Sequence, residues 1–188
     1  MRKLLLVSCL LLSSTAILTA QPPSTPAPSA PNWRDKVSEA MPLLGHRNWI
    51  LIVDSAYPLQ SAPGIETIET DANQLEVIPH VLIAIDRSTH VRPVITMDAE
   101  LPFVSEQDAP GVAAYRAETN ELLRDYPFES LPHDRNIANI EEAAKHFNIL
   151  VLKTKMTVPY TSVFIRLDCK YWSADAERRL REKMAHTQ

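Results

Sequence analysis

Three stretches of this sequence carry side chains suited to acid–base work on a small polar molecule. Leu44-Gly45-His46-Arg47-Asn48 stands before an apolar run, Asp54-Ser55-Ala56-Tyr57-Pro58 closes that run, and Pro159-Tyr160-Thr161-Ser162 leads into another. An imidazole that titrates near neutral pH can both give and take a proton, so His46 suits either half of a proton exchange. Each residue also has a plain structural use. A histidine after glycine serves as a hydrogen-bonded loop residue, Asp54 can accept backbone N–H groups in a turn, and Tyr160 can pack with its hydroxyl at the surface. The order of the three stretches gives the chemical reading its weight.

Other chemistries lack their residues. The three glycines, Gly45, Gly64 and Gly111, are not spaced as in a phosphate-cradling loop, and there is no Gly-x-Ser-x-Gly elbow. The histidines show neither His-x-His nor His-Glu-x-x-His spacing, so no metal site is visible. Cys169 follows Asp168 at the end of an apolar run, and a neighbouring carboxylate disfavours the thiolate; an inert buried thiol is expected. A formal net charge of −4 offers no basic surplus for a phosphate backbone, so nucleic acid is not an expected partner.

The elements that must position these residues begin after two leading segments. Residues 1–20 run from a basic start through an apolar core, Leu4 to Leu12, to a small-residue exit, the order of a secretory signal peptide cleaved after Ala16 or Ala20. The apolar run is shorter than the roughly 20 residues a bilayer core requires. Leu-Val-Ser-Cys at 6–9 is like a lipidation box, but its closeness to Lys3 leaves too little apolar segment. Cleavage would remove Cys9 and leave Cys169 alone, so no intrachain disulfide is expected. A periplasmic or secreted protein follows, with no membrane span in its mature part. Residues 21–32 are a proline-rich tether.

From Trp33 the pattern alternates. A helix capped by Asn32 should run to about Ala40. Trp49–Val53 reads as a strand covered on both faces, Ile65–Thr70 as a short strand, and Val91–Met97, Phe128–Leu131, Ile149–Leu152 and Val163–Leu167 as further extended segments. Helical spacing covers Leu75–Ile85, where Pro79 implies a kink or a later start, Val112–Tyr126 with Ala113, Leu122 and Leu123 inward, and Ile137–Phe147. His80 and His146 fall on helix faces as structural residues, and Trp33 and Trp49 as core or interface residues. Residues 173–188 hold a charged, solvated helix. Alternating strands and helices define an α/β domain over residues 33–172, a three-layer α/β/α sandwich on a mostly parallel sheet.

Gly45-His46, Asp54, Pro58 and Tyr160, in this order and spacing, resemble the D-ribose pyranase and L-fucose mutarotase (RbsD/FucU) family, whose members carry a Gly-His pair before a strand, an Asp eight residues later, a proline beyond it, and Tyr-x-Asn before the last strand. Thr70-Asp71 is similar too, and the resemblance spans Trp33 to Leu167. It implies opening and reclosure of a free monosaccharide ring, fucose- or ribose-like, without metal or organic cofactor. By the same resemblance His46 is the acid, while Asp54 and Tyr160 hold sugar hydroxyls or Asp54 orients the imidazole. Another ligand falls before the helix that leads to the Ile149 strand, where His133, Arg135 and Asn136 are candidates, the first two favoured by their chemistry. Ser162 replaces the Asn of the Tyr-x-Asn motif, with a shorter reach and no amide donor. A non-catalytic sugar-binding module and an assembly protein of the same fold are the competing readings.

Extended chain from His46 to Asp54 would span roughly 26 Å, too far to grip one monosaccharide. Either the chain folds back around Gly45, or sites are shared between copies. Family members form ring-shaped oligomers with sites at subunit contacts, so a homo-oligomer is expected.

Overall fold

The structure is a computed structural model and describes residues 32–186. The expected signal segment, and the tether except for Asn32, lie outside the described residues. Helix α1 (Trp33–Ala40) starts where Asn32 accepts from the Arg34 N–H. There follow β1 (Trp49–Val53), β2 (Ile65–Glu69), α2 (Gln74–Arg87), β3 (Val91–Asp98), a 3₁₀ turn at Leu101–Phe103, α3 (Val112–Leu122), β4 (Phe128–Leu131), α4 (His133–Ala143), β5 (Ile149–Lys153), β6 (Val163–Cys169) and α5 (Ala174–Ala185).

The strands form one six-stranded sheet in the order β2-β5-β1-β6-β3-β4. β6 runs against β1 and β3, while β1, β5 and β2 run parallel, as do β3 and β4. The sheet is therefore mostly parallel with one reversed strand at its centre. Alternation along the strands splits the core in two. Ile50, Ile52, Leu150, Leu152, Val163 and Ile165 pack beneath α1, α2 and α3, and Trp49, Leu51, Val53, Ile149, Val151 and Phe164 pack beneath α4. These are the three layers the sequence implies.

Three helices depart from the sequence pattern. α2 begins earlier than expected, at Gln74, because Asn73 caps it through the Leu75 N–H, and it carries Pro79 inside. An interior proline costs ~3 kcal/mol. Val77, Ile78, Val81 and Ile85 are fully buried, at ~1.5–3 kcal/mol each, which outweighs that cost. In α3 the buried residues are Val112, Tyr115 and Thr119, followed by Leu123, whereas Ala113 is exposed. α4 starts at His133 instead of Ile137, because both oxygens of Glu100 accept from the His133 N–H and supply a cap from a distant loop. α5 buries none of its residues. Cys169 is a free, half-buried thiol, not the fully buried one expected.

Among the described residues no helix is long and apolar enough to cross a membrane, and no group of three or more His, Cys, Asp or Glu is arranged to hold a metal ion.

Candidate functional site

Asp54 leaves the end of β1, Asp98 ends β3, His133 follows β4 through Pro132, and the 154–162 segment connects β5 to the start of β6. All of these lie on the edge of the sheet where its parallel strands end, the usual place for a ligand crevice in an open α/β sheet. A cavity of about 660 Å³ opens there, lined by Asp54–Pro58, His133, Ile137 and Thr157–Tyr160. Its size falls within the range of small-molecule sites. Lys153 Nζ donates to the Tyr57 carbonyl at 2.9 Å, and the Ser55 N–H to the Met156 carbonyl at 2.8 Å, tying the first loop to the second.

Within the cavity Asp54 spends Oδ1 on the Ala56 N–H, at 2.8 Å, which is the turn role open to it in the sequence. Tyr57 is buried and its hydroxyl is pushed up to about 12, by burial first and then by the charges of Asp98, Asp54 and Glu141; it is a neutral donor. His133 and Tyr160 meet edge to face, ring centres 5.5 Å apart. Tyr160 has φ of 59°, a left-handed conformation rare for an aromatic residue. The turn around it is closed by Thr161 Oγ1, which donates to the Val158 carbonyl at 2.9 Å, and is anchored to the core where the Thr161 carbonyl accepts from Gln74 Nε2 at 2.7 Å and the Tyr115 hydroxyl at 2.9 Å.

Behind His133 lies a buried polar chain. His133 Nδ1 is 3.0 Å from Asp98 Oδ2, Asn136 Nδ2 donates to Asp98 Oδ1 at 2.9 Å, and Thr96 Oγ1 donates to Asn136 Oδ1 at 2.9 Å. The Asp98 side chain is 0% exposed. Burial raises its carboxyl above the ordinary range, against the hydrogen bonds from Asn136 and His133 that favour the charged form.

The structure thus brings Asp54, His133 and Tyr160 together and leaves three other candidates outside. Arg135 is exposed on α4, and Ser162 is buried at the foot of β6 without lining the cavity. His46 sits at the opposite edge, before β1, where its Nδ1 is 3.0 Å from Asp168 Oδ1. There Arg92 grips Asp168 Oδ2 through Nε and Nη2, at 3.0 and 2.7 Å. β1 separates His46 from Asp54, so the chain does not fold back around Gly45.

Sequence reasoning missed Asp98, Thr96, Tyr57 and Gln74, and ranked Asn136 last. One signal was present for Asp98: it closes the apolar end of β3 as Asp54 closes β1.

The chain is an α/β protein with an open sheet and a crevice at its parallel strand ends, the place where such sheets commonly seat small molecules. The fold is RbsD/FucU-like. RbsD of Bacillus subtilis, complexed with D-ribose, superposes with a TM-score of 0.50 at 14% identity, covering 70% of this chain and 89% of that one. FucU of Bifidobacterium longum gives 0.50 at 16%, over 70% and 92%. The fucose mutarotase of Streptococcus pneumoniae, in complex with L-fucose, gives 0.47 at 18%, over 68% and 87%. No family model matches the sequence, and no curated protein matches it.

Proposed function

We propose that the chain is a cofactor-free monosaccharide mutarotase or pyranase, which opens and recloses the ring of a free fucose- or ribose-like sugar. The observation that carries this reading is the meeting of Asp54, His133 and Tyr160, from three distant parts of the sequence, around one cavity; the RbsD fold with bound D-ribose supports it. Ring opening needs a proton delivered to the ring oxygen while another group takes the proton of the anomeric hydroxyl. The C–O ring bond breaks as the carbonyl forms, and reclosure reverses both transfers. His133 is one of the two groups. Each well-placed acid or base contributes on the order of 10² to 10⁴ in rate.

The second group is Asp54 of the same cavity or His46 of another copy. Because His46 stands at the far edge of its own sheet, a site that uses both histidines requires a homo-oligomer, with His46 of one copy entering the cavity of the next. The leading segment and tether support a periplasmic or secreted location, where the protein would set the form of a sugar before uptake.

Magnetisation-transfer NMR on a panel of aldoses tests the reading. Exchange between ring forms accelerated by the wild type and lost in His133→Ala is the expected result. Binding without acceleration would assign a non-catalytic sugar-binding module instead, and neither binding nor acceleration would leave an assembly protein.

A further inference from the structure

The buried chain behind His133 runs in one direction. A carboxylate only accepts, so Asn136 must turn its amide nitrogen to Asp98 Oδ1, and its oxygen then faces the Thr96 hydroxyl, which donates. With Oδ1 occupied, Asp98 has only Oδ2 left for the imidazole, and it meets Nδ1 at 3.0 Å. The other groups around the ring do not compete for Nδ1. Glu100 is committed to the backbone N–H of His133, Tyr160 meets the ring edge to face, and Asp54 lies across the cavity.

We propose that Asp98, oriented by Asn136 and Thr96, is a positioning residue that selects the His133 tautomer: in the neutral form of the ring the proton stays on Nδ1 and Nε2 is left bare for the cavity. This rests on the reading of His133 as the group that exchanges protons with a bound sugar. A carboxylate behind an imidazole does two things: it selects the tautomer, and it favours the imidazolium formed when Nε2 takes a proton. The position of His133 at the first turn of α4 opposes that cation, since the helix N-terminus is the positive end of the peptide dipoles. Asp98 therefore supplies a charge that the helix by itself would not.

Asn136 makes the consequence of Asp98→Asn specific. The Asn136 amide nitrogen is kept on this side by the Leu131 carbonyl as well, at 3.5 Å, so Asn136 does not flip toward Thr96; the oxygen of the new amide turns to it and the new NH₂ turns to His133. That NH₂ can only donate, which forces Nδ1 to accept and moves the ring proton to Nε2. The tautomer inverts with almost no change in shape. Removing Asn136 as well, in Asp98→Asn/Asn136→Ala, frees the new amide to present its oxygen, and the proton returns to Nδ1.

Long-range ¹H–¹⁵N correlation spectra of the ring nitrogens read the tautomer with no sugar present. The expected results are an Nδ1-protonated neutral His133 in the wild type, an Nε2-protonated ring in Asp98→Asn, and restoration in the double variant. Turnover should fall roughly 10²- to 10⁴-fold in Asp98→Asn. An unchanged tautomer in Asp98→Asn, or an Nε2-protonated wild type, overturns the proposal whatever the turnover. An inverted tautomer in a protein that accelerates no sugar's exchange upholds the proton placement and removes the mutarotase reading alone. Should the double variant fail to fold, the single variant still decides.

Discussion

His46 and His133 lie at opposite edges of one sheet, each with Nδ1 3.0 Å from an aspartate, Asp168 for the first and Asp98 for the second. The pairs differ in setting. Asp168 is partly exposed and is gripped by the guanidinium of Arg92, whereas Asp98 is fully buried and backed by a neutral amide. An imidazole oriented by a carboxylate at each edge is what head-to-tail copies need if one contributes His46 and the next contributes His133.

A complementation experiment decides whether the two histidines share a site. His46→Ala and His133→Ala should each lower the rate of ring exchange by roughly 10² to 10⁴. Co-expression of the two variants should recover activity, because contacts that join an intact His46 to an intact His133 form again. Full activity in His46→Ala alone would remove His46 from the site and leave Asp54 as the second proton-transfer group.

The two aspartates should bend stability in opposite directions with pH. Burial raises the Asp98 carboxyl, so its share of stability is complete below the ordinary carboxylate range and fades as pH rises through the raised value. At Asp168 burial also raises, but the Arg92 hydrogen bonds, the Cys169 N–H and the charges of Arg92 and His46 outweigh it, and the carboxyl is lowered. That share is complete above the ordinary range and is lost as pH falls through the lowered value. Urea titrations across the acid range should show the wild type's advantage over Asp98→Asn shrinking with rising pH and its advantage over Asp168→Asn growing. Slopes of the same sign would refute the assignment of one of these shifts.

Most of the fold is legible in the sequence, because its strands are short apolar runs and its helix starts carry local signals: Asn32 and Ser173 cap their helices with their own side chains. What is not legible depends on partners far away in the chain. The start of α4 is fixed by Glu100, and the reversed strand β6 is set by pairing with β1 and β3. The same division holds at the site. Asp54 and Tyr160 stand beside proline-marked loops and are visible as loop residues, whereas the role of Asp98 exists only through His133 and Asn136, contacts that bridge two elements. His133 was visible as a chemical type, but its place at the helix start was not.

Deleting α5 should cost the domain almost nothing. The helix buries none of its residues; it carries exposed ion pairs such as Arg178 with Glu182 and Arg181 with Glu177, and Trp172 Nε1 in the preceding turn donates to Glu177 Oε2 at the surface. Exposed pairs of this kind contribute ~0–1 kcal/mol and hold the helix to itself. A chain ending at Ser173 should melt within about 0.5 kcal/mol of the full protein. A larger loss in urea titration would show that Leu180 and Met184 are covered in solution.

Gln74 is fully buried with its Oε1 unpartnered, while its Nε2 serves the carbonyls of Ile52 and Thr161. An orphaned buried acceptor costs about 1–3 kcal/mol, so Gln74→Leu relieves one penalty as it creates another. Thr161 keeps the Tyr115 hydroxyl in that variant, so the net change in stability should stay near 1 kcal/mol. The effect on the cavity should be larger, because the Thr161 carbonyl anchors to the core the turn that carries Tyr160. Sugar affinity should weaken in Gln74→Leu and again in Tyr115→Phe. Loss of both donors leaves the carbonyl with neither, so the double variant should lose more stability than the two singles added together, by roughly 1–2 kcal/mol of coupling. Strict additivity in urea titrations of the four proteins would mean that water or another group already satisfies Thr161, and that Tyr160 owes its position to something else.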